Sequence, residues 1–132
     1  MTVPEIKLHD GHTIPQLGFG VFKVPPEDTA DVVTRALEVG YRHIDTAEMY
    51  GNEAGVGEAI KASGLPREEL YVTTKLNNGF HRPDDARRSF AESLERLADD
   101  LGGLGRRHLE DPEAQLWDLG VVVEGQVGDG HT

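Results

Sequence analysis

The chain has 132 residues, enough for one domain or for part of a larger one, and this length excludes two independent catalytic domains. Its 24 acidic against 13 basic residues give a formal net charge of -11, which would repel phosphate backbones and anionic lipids, so we expect no nucleic-acid or membrane partner. The chain has no cysteine, which excludes disulfides and thiolate sites and suits a reducing cytosol. No apolar segment approaches the roughly 20 residues that cross a bilayer, and we expect a cytoplasmic protein.

Turn residues and helix breakers predict how the chain begins. Asp10-Gly11 lies between short alternating runs and predicts an N-terminal β-hairpin, because both turn residues must tolerate positive φ. A short buried strand is expected over 17–21. Pro25-Pro26 and the acidic residues after it predict a helix start, and Gly40 stands where that helix needs a left-handed cap.

The alternation of strand and helix continues twice more. A strand is predicted over 41–45, a helix from Asn52-Glu53 to Gly64, a strand over 70–75 and a third helix from Pro83. The apolar residues of the third helix keep steps of three and four: Ala86, Phe90, Leu94 and Leu97. An ordered alternation of this kind predicts an α/β fold with parallel strands joined by helical crossovers.

Residues 98–132 interrupt this pattern. They contain seven glycines and eight acidic residues, with Arg106 and Arg107 as cations and one apolar stretch around 116–123. No fourth strand and helix are predicted, so the outer edge of the third strand is expected to be unpaired. We expect this segment to be poorly ordered, because 124–132 has too little apolar surface to offset its ordering entropy.

Three candidate catalytic residues lie at or just after strand ends. Asp45 ends the second predicted strand of the alternating series, Tyr50 lies in the following loop, and Lys75 ends the third. The carboxyl ends of parallel strands converge on ligands. A carboxylate would hold the ammonium, and the ammonium would favour the ionised phenol, so the tyrosine could protonate a carbonyl oxygen. On spacing alone, a turn-capping aspartate, a loop tyrosine and a solvated lysine are the commoner arrangement.

Longer motifs resemble those of the aldo-keto reductase family. They are 17–21 (LGFGV), 40–53 (GYRHIDTAEMYGNE), 56–57 (VG) and 72–76 (VTTKL), and the resemblance covers residues 1–97. It implies a (β/α)8 TIM barrel with an N-terminal β-hairpin, of which about the first three βα units are present. It also implies NADPH-dependent reduction of aldehydes or ketones, with a small carbonyl substrate and no Rossmann motif.

The resemblance implies a role for each of the three candidates. Tyr50 matches the family's proton donor, Lys75 the cation that favours its ionised form, and Asp45 the carboxylate paired with that lysine. The family's fourth catalytic residue is a histidine at the end of the fourth strand. His108 lacks the surroundings of that histidine, and we do not assign it the role.

The resemblance also implies where the cofactor and substrate lie. Gly20 and Val21 match the loop beside the nicotinamide, Asp45 is expected to contribute to cofactor binding, and Phe22 would form a wall of the substrate pocket. His43 is expected to be a packed residue and not a ligand. No residues have the spacing of a metal site.

The tail suggests two hypotheses about the chain as a whole. Gly102-Gly103-Leu104-Gly105 stands where an apolar fourth strand is expected. Residues 109–119, back-translated with GC-rich codons and read one nucleotide later, can give a segment similar to the family. One hypothesis is therefore an out-of-frame translation from about residue 98 onward. We divide the chain into a barrel part, 1–97, and a Gly-rich acidic tail, 98–132, and expect the truncated chain to be inactive by itself. The alternative to a reductase is a noncatalytic barrel fragment that is degraded or associates with another chain.

Overall fold

The computed structural model describes residues 2–98 and 121–124. They begin with an antiparallel hairpin of β1, Glu5–Lys7, and β2, Thr13–Pro15. Gly11 has a φ of 93°, and the Asp10 carboxylate accepts a hydrogen bond of 2.9 Å from the His12 N–H. The predicted hairpin is confirmed. Of the Asp-Gly pair, Gly11 adopts a positive φ and Asp10 does not, and the loop between the paired strands covers 8–12.

Four parallel strands follow in the order β3-β4-β5-β6. The strands are β3, Gly18–Gly20; β4, His43–Asp45; β5, Tyr71–Lys75; and β6, Val121–Glu124. The helices between them are α1, Pro26–Glu38; α2, Glu53–Ser63; and α3, Pro83–Ala98. The predicted alternation and the parallel sheet are confirmed. Among the described helices, none combines the length and apolar character that crossing a membrane requires.

Strand β6 corrects one prediction. It pairs in parallel with β5, with Val121 opposite Val72 and Glu124 opposite Lys75. The expectations that the tail holds no fourth strand and that β5 has an unpaired outer edge are therefore wrong. Three consecutive valines favour a strand, and the open edge of β5 offers the hydrogen-bonding groups they need. The other predictions for the tail concern 99–120 and 125–132, which lie outside the described residues.

The helix ends follow from local sequence. Pro26 opens α1, where its missing N–H is not needed, and Glu27 and Asp28 in the first turn complement the helix dipole. Gly40 follows α1 with a φ of 110°, and Gly64 ends α2 with a φ of 66°, both in the region that favours glycine. Both predicted stop signals are confirmed.

The core lies between one face of the sheet and the helices. Ile44 of β4 and Val72 of β5 point into it, while Asp45 and Lys75 belong to the opposite face because side chains alternate along a strand. Helix α2 packs against both α1 and α3. The buried side chains of the main cluster are Val21, Val33, Ala36, Leu37, Ile44, Val56, Ala59, Ile60, Leu70, Val72 and Leu97.

Two details of burial differ from the sequence prediction. Strand β3 is not buried: Phe19 is half-buried between two exposed glycines, and the buried residue is Val21, just after the strand. In α3, the apolar residues at steps of three and four are not all buried: Leu97 is buried, and Ala86, Phe90 and Leu94 are half-buried. The other buried positions on this helix are two serines, Ser89 and Ser93.

Candidate active site

An ion pair joins the carboxyl ends of two neighbouring strands. The Lys75 ammonium donates hydrogen bonds to the Asp45 carboxylate and, at 3.0 Å, to the Thr46 carbonyl oxygen. The Lys75 and Asp45 side chains are 27% and 41% exposed, so the pair lies at the surface of the sheet end and not within the core. A ligand can therefore approach both groups.

Tyr50 completes the predicted set. It ends a short 3-10 turn, Glu48–Tyr50, and Gly51 reverses the chain after it with a φ of 67°. The Lys75 Nζ lies 5.3 Å from the centroid of the Tyr50 ring. Asp45, Tyr50 and Lys75, separated in sequence, are thus brought together in space.

The environment of Lys75 favours its charged form. Burial acts to lower the pKa of Lys75, but the hydrogen bond to Asp45, the charge of Asp45 and the interaction with Tyr50 outweigh it and raise that pKa above its ordinary value. Lys75 is therefore an ammonium ion throughout the neutral range. A fixed positive charge beside a phenol ring is what a tyrosine acid requires.

Gly20 ends β3, and Phe22 lies on the loop after it, beside Tyr50. The Phe22 ring is 64% exposed, and its centroid is 5.0 Å from that of Tyr50 at an interplanar angle of 47°. At Gly20, the position of a Cβ atom has no other atom within 4 Å. The loop therefore presents an exposed aromatic wall and open space next to it.

Val21 has a different relation to the site. Its side chain is fully buried, and its N–H donates a 3.0 Å hydrogen bond to the Asp45 carbonyl oxygen. Its own carbonyl oxygen accepts hydrogen bonds from the Val24 N–H at 3.1 Å and from Asn52 Nδ2 at 2.9 Å. With these groups occupied, Val21 joins the loop to the end of β4.

The sequence analysis missed two polar residues that flank Tyr50. Glu48, two residues before it, accepts hydrogen bonds from the Ser89 hydroxyl and, at 3.2 Å, from the Asn77 N–H. Asn52, two residues after it, is fully buried. Their position inside the motif at 40–53 is the signal that could have identified them.

A third missed residue, Glu53, forms a buried polar network behind the site. Its carboxylate is 2% exposed and accepts hydrogen bonds from Thr74 Oγ1 at 2.6 Å, Arg96 Nε at 2.7 Å and Ser93 Oγ at 3.2 Å. The network connects α2, α3 and β5. Because Thr74 precedes Lys75, the network fixes the strand end that carries the ammonium.

His43 lies on the same sheet face as Asp45 and makes packing contacts. Its Nε2 lies 2.9 Å from Thr73 Oγ1, and its ring meets Tyr71 edge to face with centroids 5.0 Å apart. Burial lowers the pKa of His43; the Asp45 charge opposes this shift and Lys75 adds to it. In the described part of the chain, no three His, Cys, Asp or Glu side chains are grouped so that they could hold a metal ion.

Comparison with known proteins identifies the family. Residues 16–117 match the model of the Aldo/keto reductase family. The chain belongs to the aldo-keto reductase family. The range that matches the family model extends past residue 97. The sequence motifs predicted that the resemblance would end at that residue.

Two curated relatives illustrate the similarity. An aldo-keto reductase of Mycobacterium tuberculosis (strain H37Rv) is 45% identical over 135 residues, which cover 97% of this chain and 46% of the relative. A methylglyoxal reductase of Yersinia pestis is 48% identical over 111 residues, which cover 83% of this chain and 39% of the relative. The chain spans less than half the length of these relatives.

Solved structures confirm the fold class. An aldo/keto reductase from Brucella melitensis superimposes with a TM-score of 0.71 and 48% identity over 74% of this chain and 37% of that one. The Bombyx mori aldo-keto reductase in complex with NADP gives a TM-score of 0.68 and 40% identity over 74% and 35%. The chain therefore has the fold of the hairpin and first βα units of the TIM barrel of this family.

Proposed function

We propose that Asp45, Tyr50 and Lys75 form the acid part of an active site that reduces aldehydes or ketones to alcohols with NADPH. The observation that supports this is the position of the Lys75 ammonium, which binds the Asp45 carboxylate and lies 5.3 Å from the Tyr50 ring centroid. This arrangement occurs at the carboxyl ends of parallel strands, where barrel enzymes bind their substrates.

In the proposed reaction, the hydride that reaches the carbonyl carbon would come from bound NADPH. The Tyr50 hydroxyl donates its proton to the carbonyl oxygen, which becomes the alcohol, and Tyr50 is left as tyrosinate until solvent returns the proton. The positive charge of Lys75 stabilises the tyrosinate. Asp45 holds the ammonium in place, and its charge keeps Lys75 protonated.

The residues near this acid fit the nicotinamide end of the cofactor. Gly20 leaves open space that a side chain would fill, and the Asp45 carboxylate beside it is partly exposed and can accept hydrogen bonds. Val21 would act indirectly, since its polar backbone atoms already bind Asp45, Val24 and Asn52. We assign the contact to Gly20 and Asp45, and the positioning of the loop to Val21.

The exposed wall beside Tyr50 supports a small carbonyl substrate. Phe22 presents its ring 5.0 Å from the Tyr50 ring, so a flat, compact carbonyl compound fits beside the two better than a branched one. The Yersinia pestis relative is named a methylglyoxal reductase. Small 2-oxoaldehydes are therefore the class to assay first.

We further propose that residues 1–132 do not turn over substrate by themselves. The chain matches at most 46% of the length of the two curated relatives compared above, and catalysis requires cofactor and acid in one fixed geometry. A second candidate function, a noncatalytic fragment that is degraded or associates with another chain, is favoured by the sheet. Within the described residues, β3 ends the sheet and pairs on one side only, with β4.

A chimera separates these two candidates. Residues 1–97 replace the aligned segment of the Yersinia pestis relative, and NADPH oxidation is followed with methylglyoxal as substrate. If the acid system is intact, the chimera reduces methylglyoxal, and Tyr50→Phe lowers kcat by about 100-fold or more, the usual contribution of a general acid. Asn78→Ala, an exposed loop residue, is the control. A folded chimera without Tyr50-dependent turnover would support the noncatalytic candidate, and the unmodified chain is assayed in parallel.

A further inference from the structure

Asn52 is a buried polar side chain that the proposed reaction does not use. It is 1% exposed, and all three of its polar contacts are internal. Its Oδ1 accepts a 2.8 Å hydrogen bond from Thr46 Oγ1, and its Nδ2 donates to the carbonyl oxygens of Val21 at 2.9 Å and Val24 at 3.3 Å. A buried amide with each group paired is well suited to fix the segments it joins.

The segment held by Nδ2 is the loop that carries Phe22. The same amide nitrogen binds the first and last carbonyls of 21–24, so it closes the loop. Inside the loop, Lys23 has a φ of 62°, a conformation that residues with side chains rarely adopt. An unfavourable backbone conformation persists only when its surroundings enforce it, and the two hydrogen bonds from Asn52 provide that constraint.

The residue bound to Oδ1 is Thr46, which directly follows β4. Thr46 donates its hydroxyl hydrogen bond to Asn52, and its carbonyl oxygen accepts the hydrogen bond from Lys75. One side chain therefore connects the Phe22 loop with the residue that helps to hold the ammonium. Asn52 itself follows Tyr50 by two residues, so its backbone is tied to the Tyr50 turn.

We propose that Asn52 is a positioning residue that holds the Phe22 ring in contact with the Tyr50 ring, and thereby fixes the aromatic wall that a flat carbonyl substrate would meet beside Tyr50. The effect of Asn52 on substrate choice rests on the proposed function. The effect of Asn52 on the placement of the two rings does not rest on it, and this effect can be tested without catalysis.

The test is fluorine NMR of the full chain labelled with 3-fluorotyrosine. The chain has three tyrosines, Tyr41, Tyr50 and Tyr71, and Tyr50→Phe assigns the middle one. Phe22→Leu then gives the Tyr50 resonance without the neighbouring ring. We expect Asn52→Ala to move the Tyr50 resonance most of the way to that position while the other two resonances stay in place.

Two further variants make the result decisive. Ser93→Ala removes a buried hydrogen bond to Glu53 and should leave the Tyr50 resonance unmoved, although it also weakens the fold. Thr46→Val removes the hydrogen bond to Asn52 Oδ1 and keeps the bonds from Nδ2 to Val21 and Val24, and it should move the Tyr50 resonance in the same direction by a smaller amount. If Asn52→Ala does not fold, Thr46→Val tests the proposal in its place.

Several outcomes would overturn the proposal. The first is that neither Asn52→Ala nor Thr46→Val moves the Tyr50 resonance. The second is that Ser93→Ala moves it as far as Asn52→Ala does. The third is that Phe22→Leu leaves it unchanged. Failure of the proposed function looks different, because an inactive chimera would leave the effect of Asn52 on the ring contact intact. In an active chimera, Asn52→Ala should raise KM for methylglyoxal more than it lowers kcat.

Discussion

Lys75 reaches from β5 to Asp45 on β4, although the two residues are not opposite each other in the sheet. Asp45 pairs in register with Thr73, and Lys75 lies two residues further toward the carboxyl end of β5. The Lys75 side chain therefore leans back over β4, where it also meets the Thr46 carbonyl oxygen. This inclination places the ammonium near the Tyr50 ring, at the partly exposed surface of the sheet end.

Replacing Asp45 with Asn should lower the pKa of Lys75. Burial already acts in that direction, and the hydrogen bond and charge of Asp45 are what overcome it. The measurement is an NMR titration of the lysine Cε resonances, with Asp28→Asn, an exposed residue of α1, as the control. A Lys75 pKa that does not change in Asp45→Asn would contradict the role assigned to the pair.

The same raised pKa sets a pH window for stability. A lysine whose folded pKa exceeds its ordinary value of 10.5 contributes its full stabilisation below pH 10.5. The contribution is lost as the pH rises through the folded value. Asp45→Asn should therefore reduce the free energy of unfolding at neutral pH, and the difference from the parent chain should shrink under strongly alkaline conditions.

Gly57 permits the close approach of α2 and α3. A Cβ atom there would lie 2.2 Å from the Arg96 carbonyl oxygen, which is backbone and cannot rotate away. Gly57→Ala should therefore destabilise the fold by an amount near the upper end of about 1–3 kcal/mol for overpacking. That exceeds the gain of about 1 kcal/mol in helix propensity.

The matched control for this substitution is Gly20→Ala, where the added methyl group meets open space. Its free energy of unfolding should stay within about 0.5 kcal/mol of the parent or rise slightly. Urea unfolding followed by circular dichroism measures both variants. Equal effects at the two positions would mean that α2 and α3 do not approach as closely as the structure places them.

Much of the fold could be predicted because its signals are local. The Asp-Gly turn, the proline at the start of α1 and the glycines after α1 and α2 each require a specific backbone conformation. Strand β6 was missed because three valines in a glycine-rich segment reveal neither a partner nor a register. Its pairing with β5 is a long-range contact, which local patterns do not contain.

The site was predicted in part for a related reason. Asp45 and Lys75 could be predicted together because both end a strand, and parallel topology places the carboxyl ends of neighbouring strands at the same edge of the sheet. The supporting residues Glu48 and Asn52 form most of their hydrogen bonds with partners 28 to 41 residues away, and no spacing rule relates them. Helix α3 shows the same limit: its apolar periodicity did not indicate that Ser93 would face a buried carboxylate.

Glu53 and Arg96 should be energetically coupled. Glu53→Gln leaves the Arg96 guanidinium without its anionic partner, whereas Arg96→Met leaves the Glu53 carboxylate with hydroxyl donors only. We expect each single variant to lose about 1–3 kcal/mol and the double variant to lose less than the sum. Urea unfolding of the four proteins gives the coupling free energy.

The exposed pair of Asp84 and Arg87 provides a control cycle. Both side chains lie largely in solvent on the first turns of α3, and their coupling should be too small to measure. A coupling between Glu53 and Arg96 that is equally small would show that the buried carboxylate is satisfied by its hydroxyl donors alone.

His43 should make the fold less stable in mild acid. Burial lowers the pKa of His43 below its ordinary value of 6.5, with the Asp45 charge opposing the shift and Lys75 reinforcing it. The unfolded chain therefore binds a proton before the folded chain does, and stability falls as the pH drops below 6.5. Carboxylates also titrate in acid, so the contribution of His43 must be isolated by comparison with a variant that lacks it.

His43→Gln supplies that comparison, because glutamine keeps a polar group near Thr73 and does not titrate. We expect the free energy of unfolding of the parent chain, relative to His43→Gln, to decrease steadily as the pH is lowered through and below 6.5. His81→Gln, at an exposed histidine, is the control substitution. A difference between parent and His43→Gln that does not change with pH would mean that His43 titrates alike in the folded and unfolded chains, and that its contacts with Thr73 and Tyr71 do not exclude the proton.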